Sequence, residues 1–461
     1  MDTKITKIEV TSDKISGRGG ISFFLRYIEK TNLYQLISFH IGSELIENHK
    51  GLKLQQFLKQ MFAFFIDGSH MALSGFDKRQ KDKPYAALLE NTLEVMASSH
   101  QIKRFFRKLS CLCNTPYRKI LHQLFVWRLK IEKPEVIELM VDTMVLDNDN
   151  SLRKEGNELT YKKKFGFQPL HIIWNHFIID AMFRKGSAHS NHGTDFTDCV
   201  TDIVNLIREK YSKDVPIIIC CDGGFSGDEA FTCFEERLKI HYIINSRIYA
   251  SAEKFIDQLP QSSFDEFCKG QTAWEYAEFG NRLNEWKKFR RCIFTRVSRE
   301  EDGQYVIGRC KSDSFIYTNI GQCQEADQKL KKVSENKYFD AKAIIAKSHQ
   351  RGEDELVHRS IKELATKEQM PFKRFGMNRA YYFLLVITHF LFEAYKRDVA
   401  KDIIHAKAYP NTFRRLLIDF AVKFTSQARY TIMKVAQPIF EELKINMLWI
   451  NCQSPPVIQT F

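Results

Sequence analysis

The feature that most constrains the fold is an uninterrupted apolar run, VPIIICC at residues 215–221, which ends at Asp222. Such a run is typical of a strand that is buried on both faces, at the centre of a sheet covered by helices. Gly223 and Gly224 follow the Asp and allow the backbone to turn sharply. The run therefore predicts a central strand of an α/β sheet with Asp222 at its carboxyl end, where ligand sites of such sheets lie. The alternative is that Asp-Gly forms an ordinary turn.

The neighbouring segments predict the rest of this sheet. Three segments rich in branched and aromatic residues precede the run and predict strands: VIELMVDTMVL (136–146), PLHIIWNHFIID (169–180) and AMFRK (181–185). A helix over 195–211, the central strand, a helix over 227–239 and a strand over 241–247 complete the series. Three strands, then helix, strand, helix and strand is the order of the RNase-H-like fold, a mixed sheet flanked by helices.

Composition narrows the class of protein. The 461 residues carry a formal net charge of +13, which favours an acidic polymer such as nucleic acid as partner, although many enzymes are equally basic. A hydrophobic fraction of 44% with 37 Phe excludes a disordered chain. The 11 Cys include no C-x-x-C pair, which indicates a reducing compartment and argues against a structural zinc site. We expect no secretory signal and no membrane span, since the longest apolar stretch, YYFLLVITHFLF, is far shorter than the roughly 20 residues a span needs.

Three carboxylates are candidate catalytic residues and metal ligands. Asp142 lies in the middle of the first predicted strand, where a charge needs strong compensation, for which a divalent cation is one source. The alternative is a carboxylate that pairs with a neighbouring Lys or Arg or is exposed at a strand end. Asp222 ends the central strand, and Glu355 lies on the amphipathic helix RGEDELVHRSIKEL, whose Arg351 and Lys362 project from the same face. Oxygen ligands without His or Cys select Mg²⁺ or Mn²⁺, here expected as a pair of ions about 4 Å apart. The alternative for Glu355 is a solvated helix face.

These motifs together resemble one family. Arg351, Glu355 and Lys362 have the spacing of the Y-(2)-R-(3)-E-(6)-K signature of bacterial insertion-sequence transposases that use a DDE triad. VDTMVL resembles the strand of the first Asp in that group, and CDGGF resembles the motif of the second. The insertion-sequence family thirteen-eighty is also similar at KEG (154–156), RKGSAHSNHGT (184–194), QRGEDE (350–355) and FRRLLIDFAVKF (413–424). Ser348 stands where the signature has Tyr, and Met144 where Thr is usual.

The resemblance implies a fold, a site and an organisation of the chain. The expected fold is α/β, with an RNase-H-like catalytic core interrupted by a β-rich insertion, and with helical N-terminal and C-terminal regions. Asp142, Asp222 and Glu355 would form the catalytic triad. The expected regions are a helical DNA-binding region (1–130), the core (131–247), the insertion (248–345), the second part of the core with the Glu355 helix (346–400) and a basic helical C-terminal region (401–461).

Further residues are candidates for DNA contacts. Arg351 and Lys362 would position phosphates beside the carboxylates. Ser98 and Ser99 are candidate caps of a predicted helix. This helix carries four basic residues, Lys103, Arg104, Arg107 and Lys108. Its basic face either contacts DNA phosphates or is merely solvated. In relatives an insertion-domain Trp stacks in place of a flipped base. Trp274 and Trp286 are the candidates here, with anchoring of the small β-unit as the alternative.

The function implied is DNA transposition. The protein would bind terminal inverted repeats as a homodimer, cleave DNA by metal-assisted hydrolysis and join the 3′-hydroxyl ends to target DNA, in the cytoplasm of a bacterium at the nucleoid. Two alternatives remain: an RNase-H-like nuclease without strand transfer, and an inactive transposase-derived DNA-binding protein.

Overall fold

The computed structural model describes residues 4–5, 7–42, 45, 51–151, 153–190, 192–284, 286–300, 313–350, 353–365, 368–428 and 430–459. The chain divides into two compact units. The first combines Met1–Ile120 with Arg359–Phe461, and the second is Leu121–His358.

The N-terminal part is helical, as predicted, apart from one short strand. Its elements are β1 (Lys14–Ser16), α1 (Gly20–Lys30), α2 (Leu33–Ile41), α3 (Leu54–Asp67), α4 (Gly75–Arg79), α5 (Lys83–Leu88), α6 (Ser99–Leu109) and α7 (Thr115–Glu132). Ser98 caps α6: its hydroxyl accepts the Gln101 N–H, and the Gln101 side chain accepts the Ser98 N–H in return.

The middle of the chain alternates between strands and helices. Its first elements are β2 (Ile137–Thr143), β3 (Leu146–Asp147), β4 (Glu158–Leu159), β5 (Phe165–Phe167), β6 (Leu170–Trp174), β7 (Phe177–Met182), α8 (Asp195–Lys210), β8 (Ile217–Asp222), α9 (Asp228–Thr232) and β9 (His241–Ser246). Then come α10 (Ala250–Gln258), β10 (Asp265–Lys269), β11 (Thr272–Asn281), β12 (Arg290–Arg299), β13 (Ser314–Thr318), α11 (Gln324–Ser334) and α12 (Ala341–Gln350).

Nine of the described strands of this part form a mixed sheet in the order β10-β11-β12-β13-β9-β8-β2-β6-β7, and the other three form a small sheet in the order β3-β5-β4. Strands β2, β8 and β9 run parallel, whereas β6 and β7 on one side and β13 to β10 on the other follow antiparallel pairing. The apolar run at 215–221 lies in β8, buried at the centre of this sheet as predicted.

One predicted strand is in fact a hairpin. Residues 169–180 form β6 and the start of β7, because Asn175 and His176 both adopt positive φ, 49° and 67°. Two such residues make the tight turn whose twist matches a hairpin, and Asn tolerates this conformation better than most residues. The predicted separate strand 181–185 therefore contributes only the end of β7.

The segment predicted as a β-rich insertion contains four strands, but it makes no separate sheet among the described residues. β13 pairs with β9, so the strands β10 to β13 extend the sheet that carries Asp142 and Asp222. One face of the extended sheet packs against α11 and α12 through a cluster of buried residues that includes Ile218, Ile293, Leu330 and Ile344.

The C-terminal part begins with α13 (Glu353–Leu364), α14 (Phe375–Asp398) and α15 (Pro410–Phe413), and ends with β14 (Val422–Gln427), β15 (Tyr430–Val435), α16 (Gln437–Glu442) and α17 (Ile445–Gln453). The expectation of an all-helical end is therefore wrong at residues 422–435. There, buried Val422 and Phe424 alternate with the more exposed Lys423 and Thr425, which is a period of two and favours a strand. β14 pairs with both β15 and β1.

In the unit formed by the two ends of the chain, α14 is the central helix. It is buried along almost its whole length, from Met377 to Lys396. Aromatic rings join it to the N-terminal helices: the ring centroids of Tyr117 and Phe383 lie 4.8 Å apart, and those of Phe65 and Tyr381 lie 5.1 Å apart. The many Phe residues of the sequence thus serve a packed helical core.

Candidate active site

Asp142 and Asp222 lie side by side at the carboxyl ends of two neighbouring parallel strands. In the parallel register of β2 and β8, Val141 lies opposite Cys221. The next residues along the two strands are Asp142 and Asp222. Neighbouring strands are about 4.8 Å apart, so both side chains leave the sheet on the same face at close range. Both residues are half-buried. The structure therefore brings these two predicted site residues together.

The row of side chains continues across the neighbouring strands. His171 on β6 is the cross-strand partner of Asp142, and Asn245 on β9 is the partner of Asp222. Four adjacent strands thus present His171, Asp142, Asp222 and Asn245 in sequence along one edge, which we call the edge row. Directly opposite residues in a sheet are close enough for their side chains to interact.

Asp142 is oriented by its backbone and by a histidine. Its Oδ1 accepts the N–H of Thr143 at 2.7 Å, and its Oδ2 lies 3.8 Å from Nδ1 of His358 on α13. Nε2 of His358 lies 3.3 Å from Nδ1 of His171, which is fully buried. The two imidazoles and the Asp142 carboxylate therefore form one connected polar group.

Asp222 is held by the turn that follows it. Its Oδ1 accepts the N–H of Gly224 at 2.8 Å. A Cβ at Gly223 would approach the carbonyl oxygen of Asn245 to 2.9 Å, and a Cβ at Gly224 would approach Oγ of Ser190 to 2.9 Å. Both contacts are too close for an ordinary side chain, so the two glycines allow the turn to pack against Asn245 and Ser190.

Glu355 is exposed in the first turn of α13, three residues before His358. Residues three apart lie on the same face of a helix, so Glu355 projects on the side whose next turn contacts Asp142. Among the residues that the structure describes, however, no three His, Cys, Asp or Glu side chains are gathered closely enough to form a metal site. The third carboxylate is on the correct helix face but is not brought into contact with the pair.

Of the two basic residues in the signature, Arg351 and Lys362, the structure describes only Lys362. Arg351 lies outside the described residues. Lys362 lies two turns after Glu355 on α13, and its Nζ is 3.0 Å from Oε1 of Glu368. A half-buried lysine with a carboxylate partner can exchange that partner for a phosphate, so the predicted phosphate contact stays a prediction.

Ser348, which replaces the tyrosine of the signature, is part of the same edge. It is buried near the end of α12, and its hydroxyl donates to Oδ1 of Asn245 at 2.6 Å. The next residue, His349, lies against Trp274, with ring centroids 4.7 Å apart. At this position the chain therefore has an internal hydrogen bond to the edge row instead of an aromatic side chain.

The candidate DNA-contacting residues occupy different environments. On α6, Lys103, Arg104 and Arg107 are exposed and Lys108 is half-buried, while the opposite face is buried. Trp274 on β11 is half-buried.

Trp286 is only 6% exposed and packs on Phe231, Tyr317 and the Arg290 guanidinium. Stacking on a base would require Trp286 to leave this core, so its environment favours the anchoring role over the DNA contact. Trp274 keeps part of its surface accessible and is the better placed of the two.

Sequence reasoning missed two histidines of the site. His171 lies near the start of a segment predicted as a strand, and His358 lies one helical turn after Glu355. The spacing of His358 could have indicated that it shares the face of Glu355. The cross-strand pairing of His171 with Asp142 had no local signal, because register depends on the turn between strands.

One comparison with known proteins identifies the family of this chain. The family model described as "Transposase DDE domain group 1" matches residues 2–448. No curated protein is similar enough in sequence to count as a match. A solved structure described as "Cryo-EM structure of piggyBac transposase synaptic complex with hairpin DNA (SNHP)" is similar at 11% sequence identity and a TM-score of 0.40, covering 96% of this chain and 83% of that chain. Within the described residues, no helix has the length and apolar character that a membrane span requires.

Proposed function

The chain belongs to the family of transposases with a group 1 DDE domain, and from this membership we propose that it binds terminal inverted repeats, cleaves DNA at their ends and joins the 3′-hydroxyl groups to target DNA. The observation that carries the proposal is the pair Asp142 and Asp222, adjacent at the carboxyl ends of parallel strands. This is where a sheet of this kind presents its catalytic groups.

The strand order supports an RNase-H-like assignment of the core. In the nine-stranded sheet, the antiparallel strands β2, β6 and β7 are followed by β8 on the other side of β2 and then by β9, both parallel to β2. The first and fourth strands of that series carry the two Asp residues, which is why residues 80 positions apart in the chain become neighbours.

The donor chemistry of the site suits a hard divalent cation. Asp142 and Asp222 supply oxygen ligands on adjacent strands, and Glu355 is on the helix face that could supply a third. A bound pair of Mg²⁺ or Mn²⁺ ions would lower the pKa of an attacking water or 3′-hydroxyl and stabilise the leaving oxygen. The roles of the chain itself are orientation of Asp142 by His358 and Thr143, and orientation of Asp222 by the Gly224 N–H.

The proposal extends to partners and origin. The substrates are the terminal inverted repeats and a target duplex, and two copies of the chain would hold the two ends together. Basic residues on α6 and Lys362 on α13 supply phosphate contacts, which fits the net charge of +13. We assign the gene to a bacterial insertion sequence of the family thirteen-eighty type, with the protein acting at the nucleoid.

The test uses the DNA that flanks the gene. Inverted repeats bracketing it, with a short target duplication outside, would define the substrate. A labelled duplex carrying such a repeat should be cut at the repeat end in the presence of Mg²⁺, and pre-cleaved ends should be joined to a plasmid. Asp142→Asn and Asp222→Asn should abolish both reactions.

The two alternatives give different results in the same assay. A nuclease without strand transfer would cut the duplex and yield no joined product. An inactive DNA-binding protein would bind the repeat and leave it intact with either metal. Absence of flanking repeats, together with either result, would overturn the transposase proposal.

A further inference from the structure

A small sheet next to the edge row carries a basic, aromatic turn. β3 starts three residues after β2 ends, and β5 ends three residues before β6 begins, so the sheet β3-β5-β4 is built at the carboxyl end of the strand that carries Asp142. Strands β4 and β5 form a hairpin whose tip is the turn Tyr161–Lys164, which follows Thr160.

The tip is an ordered turn. The N–H and the hydroxyl of Thr160 donate to the carbonyl of Lys164 at 2.9 and 2.8 Å, and the N–H of Lys163 donates to the carbonyl of Thr160 at 2.9 Å. At its base, Oδ1 of Asp149 accepts the Phe165 N–H at 2.7 Å. These bonds hold the backbone of the turn in one conformation, from which the side chains of Tyr161 to Lys164 project.

The side chains at the tip face outward. Tyr161 is 60% exposed, and the three lysines that follow it are exposed as well. Nζ of Lys162 lies 5.7 Å from the centre of the Tyr161 ring. Lys164 pairs with Asp147 at 2.5 Å, whereas Lys162 and Lys163 make no ion pair with any described residue. An exposed aromatic ring flanked by cations is the composition of surfaces that bind single-stranded nucleic acid.

The aromatic side chain at this tip carries no charge. Partial burial, followed by the negative charges of Asp142 and Asp222, raises the pKa of the Tyr161 hydroxyl above its ordinary value. Tyr161 is therefore neutral at physiological pH. A neutral aromatic ring can approach a DNA strand without adding to its electrostatic repulsion.

We propose that the turn Tyr161–Lys164 holds the DNA strand next to the phosphodiester at Asp142 and Asp222, with Tyr161 stacking on an unpaired base and Lys162 and Lys163 contacting backbone phosphates. The proposal rests on the proposed function, since it takes DNA as the substrate of this edge. It adds a binding site that the DDE motif does not contain.

The stacking contact is tested with fluorescein-labelled dT20, without added metal so that no cleavage occurs. Base stacking on an aromatic side chain contributes about 1–3 kcal/mol, so Tyr161→Ala should bind dT20 roughly tenfold more weakly. Tyr161→Phe and Tyr161→Trp keep the ring and should bind within about threefold of the wild type. Because the ring is largely exposed, all three variants should unfold at the wild-type temperature. Unchanged dT20 binding by Tyr161→Ala would overturn the stacking role.

The phosphate contacts are tested by salt dependence. Loss of two contacts to a single strand should lower the slope of log Kd against log salt by about 1.4 in Lys162→Ala/Lys163→Ala. The matched control is Lys213→Ala/Lys332→Ala, which removes two exposed lysines elsewhere on the same unit, one of them at the amino end of β8. Equal changes in both double variants would show a general charge effect and overturn the site.

A third measurement separates this proposal from the proposed function. A photoreactive benzoylphenylalanine at position 161 should crosslink to dT20 and to the cleaved end of the repeat duplex. If Asp142→Asn abolishes cleavage and the crosslink is absent, the transposase proposal stands and the Tyr161 site is overturned. If the crosslink forms and the wild type cuts no DNA with Mg²⁺ or Mn²⁺, the Tyr161 site stands and the proposed function is overturned.

Discussion

Two acidic clusters on the same unit show how differently carboxylates are compensated. In the first, Arg290 at the start of β12 is buried between acidic side chains: Nε lies 3.0 Å from Glu235 Oε1, and Nη2 lies 3.1 Å from Asp228 Oδ1. Nζ of Lys288 lies 2.8 Å from Glu235 Oε2. The guanidinium also stacks on Phe231, 4.4 Å from the ring centre.

In the second cluster, Asp142 and Asp222 stand side by side, contacted by backbone N–H groups and an imidazole. Fixed guanidinium and ammonium groups make the first cluster a structural element. Two adjacent carboxylates held by backbone N–H groups form a site that can accept an external cation. The difference teaches that the partners of a carboxylate, rather than its burial, separate an internal ion pair from a candidate catalytic site.

The largest effect expected is on cleavage. Asp142→Asn removes one oxygen ligand and its charge, and loss of several kcal/mol of transition-state stabilisation should lower the cleavage rate by about 10³-fold or more. The free energy of unfolding should not fall, because two like charges no longer stand side by side. A labelled-duplex assay and urea unfolding measure the two quantities. If Asp142→Asn lowered the free energy of unfolding and still cleaved DNA, the cluster of Asp142 and Asp222 would have a structural role and not a catalytic one.

The reverse pattern is expected for Arg290→Met. Removing the buried guanidinium leaves Asp228 without this cation and Glu235 with Lys288 alone, and should lower the free energy of unfolding by about 3–5 kcal/mol. Arg296→Met is a matched control on the same strand, because its pair with Glu275 is partly exposed, and it should cost less than about 1 kcal/mol. Equal losses in the two variants would contradict the distinction drawn between the clusters.

Divalent cations should stabilise the wild-type chain even without DNA. At a hundredfold excess over its Kd, Mg²⁺ or Mn²⁺ should add about 2.7 kcal/mol to the free energy of unfolding, seen as a rise in Tm. Asp142→Asn and Asp222→Asn should lose this rise, whereas Arg296→Met should keep it. A rise that persists in the Asp variants would place the cation elsewhere.

A smaller effect is expected for the histidine that contacts Asp142. Side chains that orient metal ligands typically change metal affinity by 10–100-fold, so His358→Ala should shift the Mn²⁺ concentration needed for half of the Tm rise by roughly that factor. His358→Gln keeps a polar group in place and should recover part of the affinity. An unchanged Mn²⁺ requirement in His358→Ala would reduce this residue to a packing role.

The smallest effect is expected at Ser348. Ser348→Ala removes one hydrogen bond to Asn245 and should lower the free energy of unfolding by about 1 kcal/mol, with cleavage within about threefold of the wild type. This outcome would show that cleavage tolerates the loss of an uncharged hydrogen-bond donor to the edge row but not the loss of a carboxylate in it. A hundredfold loss of cleavage would instead indicate that Ser348 takes part in the chemistry.

Local patterns predicted the elements that local physics determines. The buried run of β8, the Ser98 cap and the amphipathic Glu355 helix each depend on residues within one or two turns of each other. The proximity of Asp142 and Asp222 could also be predicted from the sequence, because the order of strands and helices restricts the topology to few choices.

The elements that were missed depend on distant partners. That β13 pairs with β9 and extends the core sheet is a matter of long-range register, which no window of sequence contains. The hairpin at 422–435 had a period-two pattern, but the helical segments on either side of it favoured a helix. The burial of Trp286 depends on Phe231 and Tyr317 from other elements, so composition alone left its role open.

The pairing of β9 with β13 also has a consequence for biosynthesis. When a ribosome has released the chain up to β9, the five strands β7, β6, β2, β8 and β9 can already pair in that order. The outer edge of β9 has no partner until β13, Ser314–Thr318, emerges about 70 residues later. An open edge of this kind pairs readily with other chains. Truncated fragments that stop near residue 247 should therefore aggregate, and their yield should depend on chaperones that cover the strand during translation.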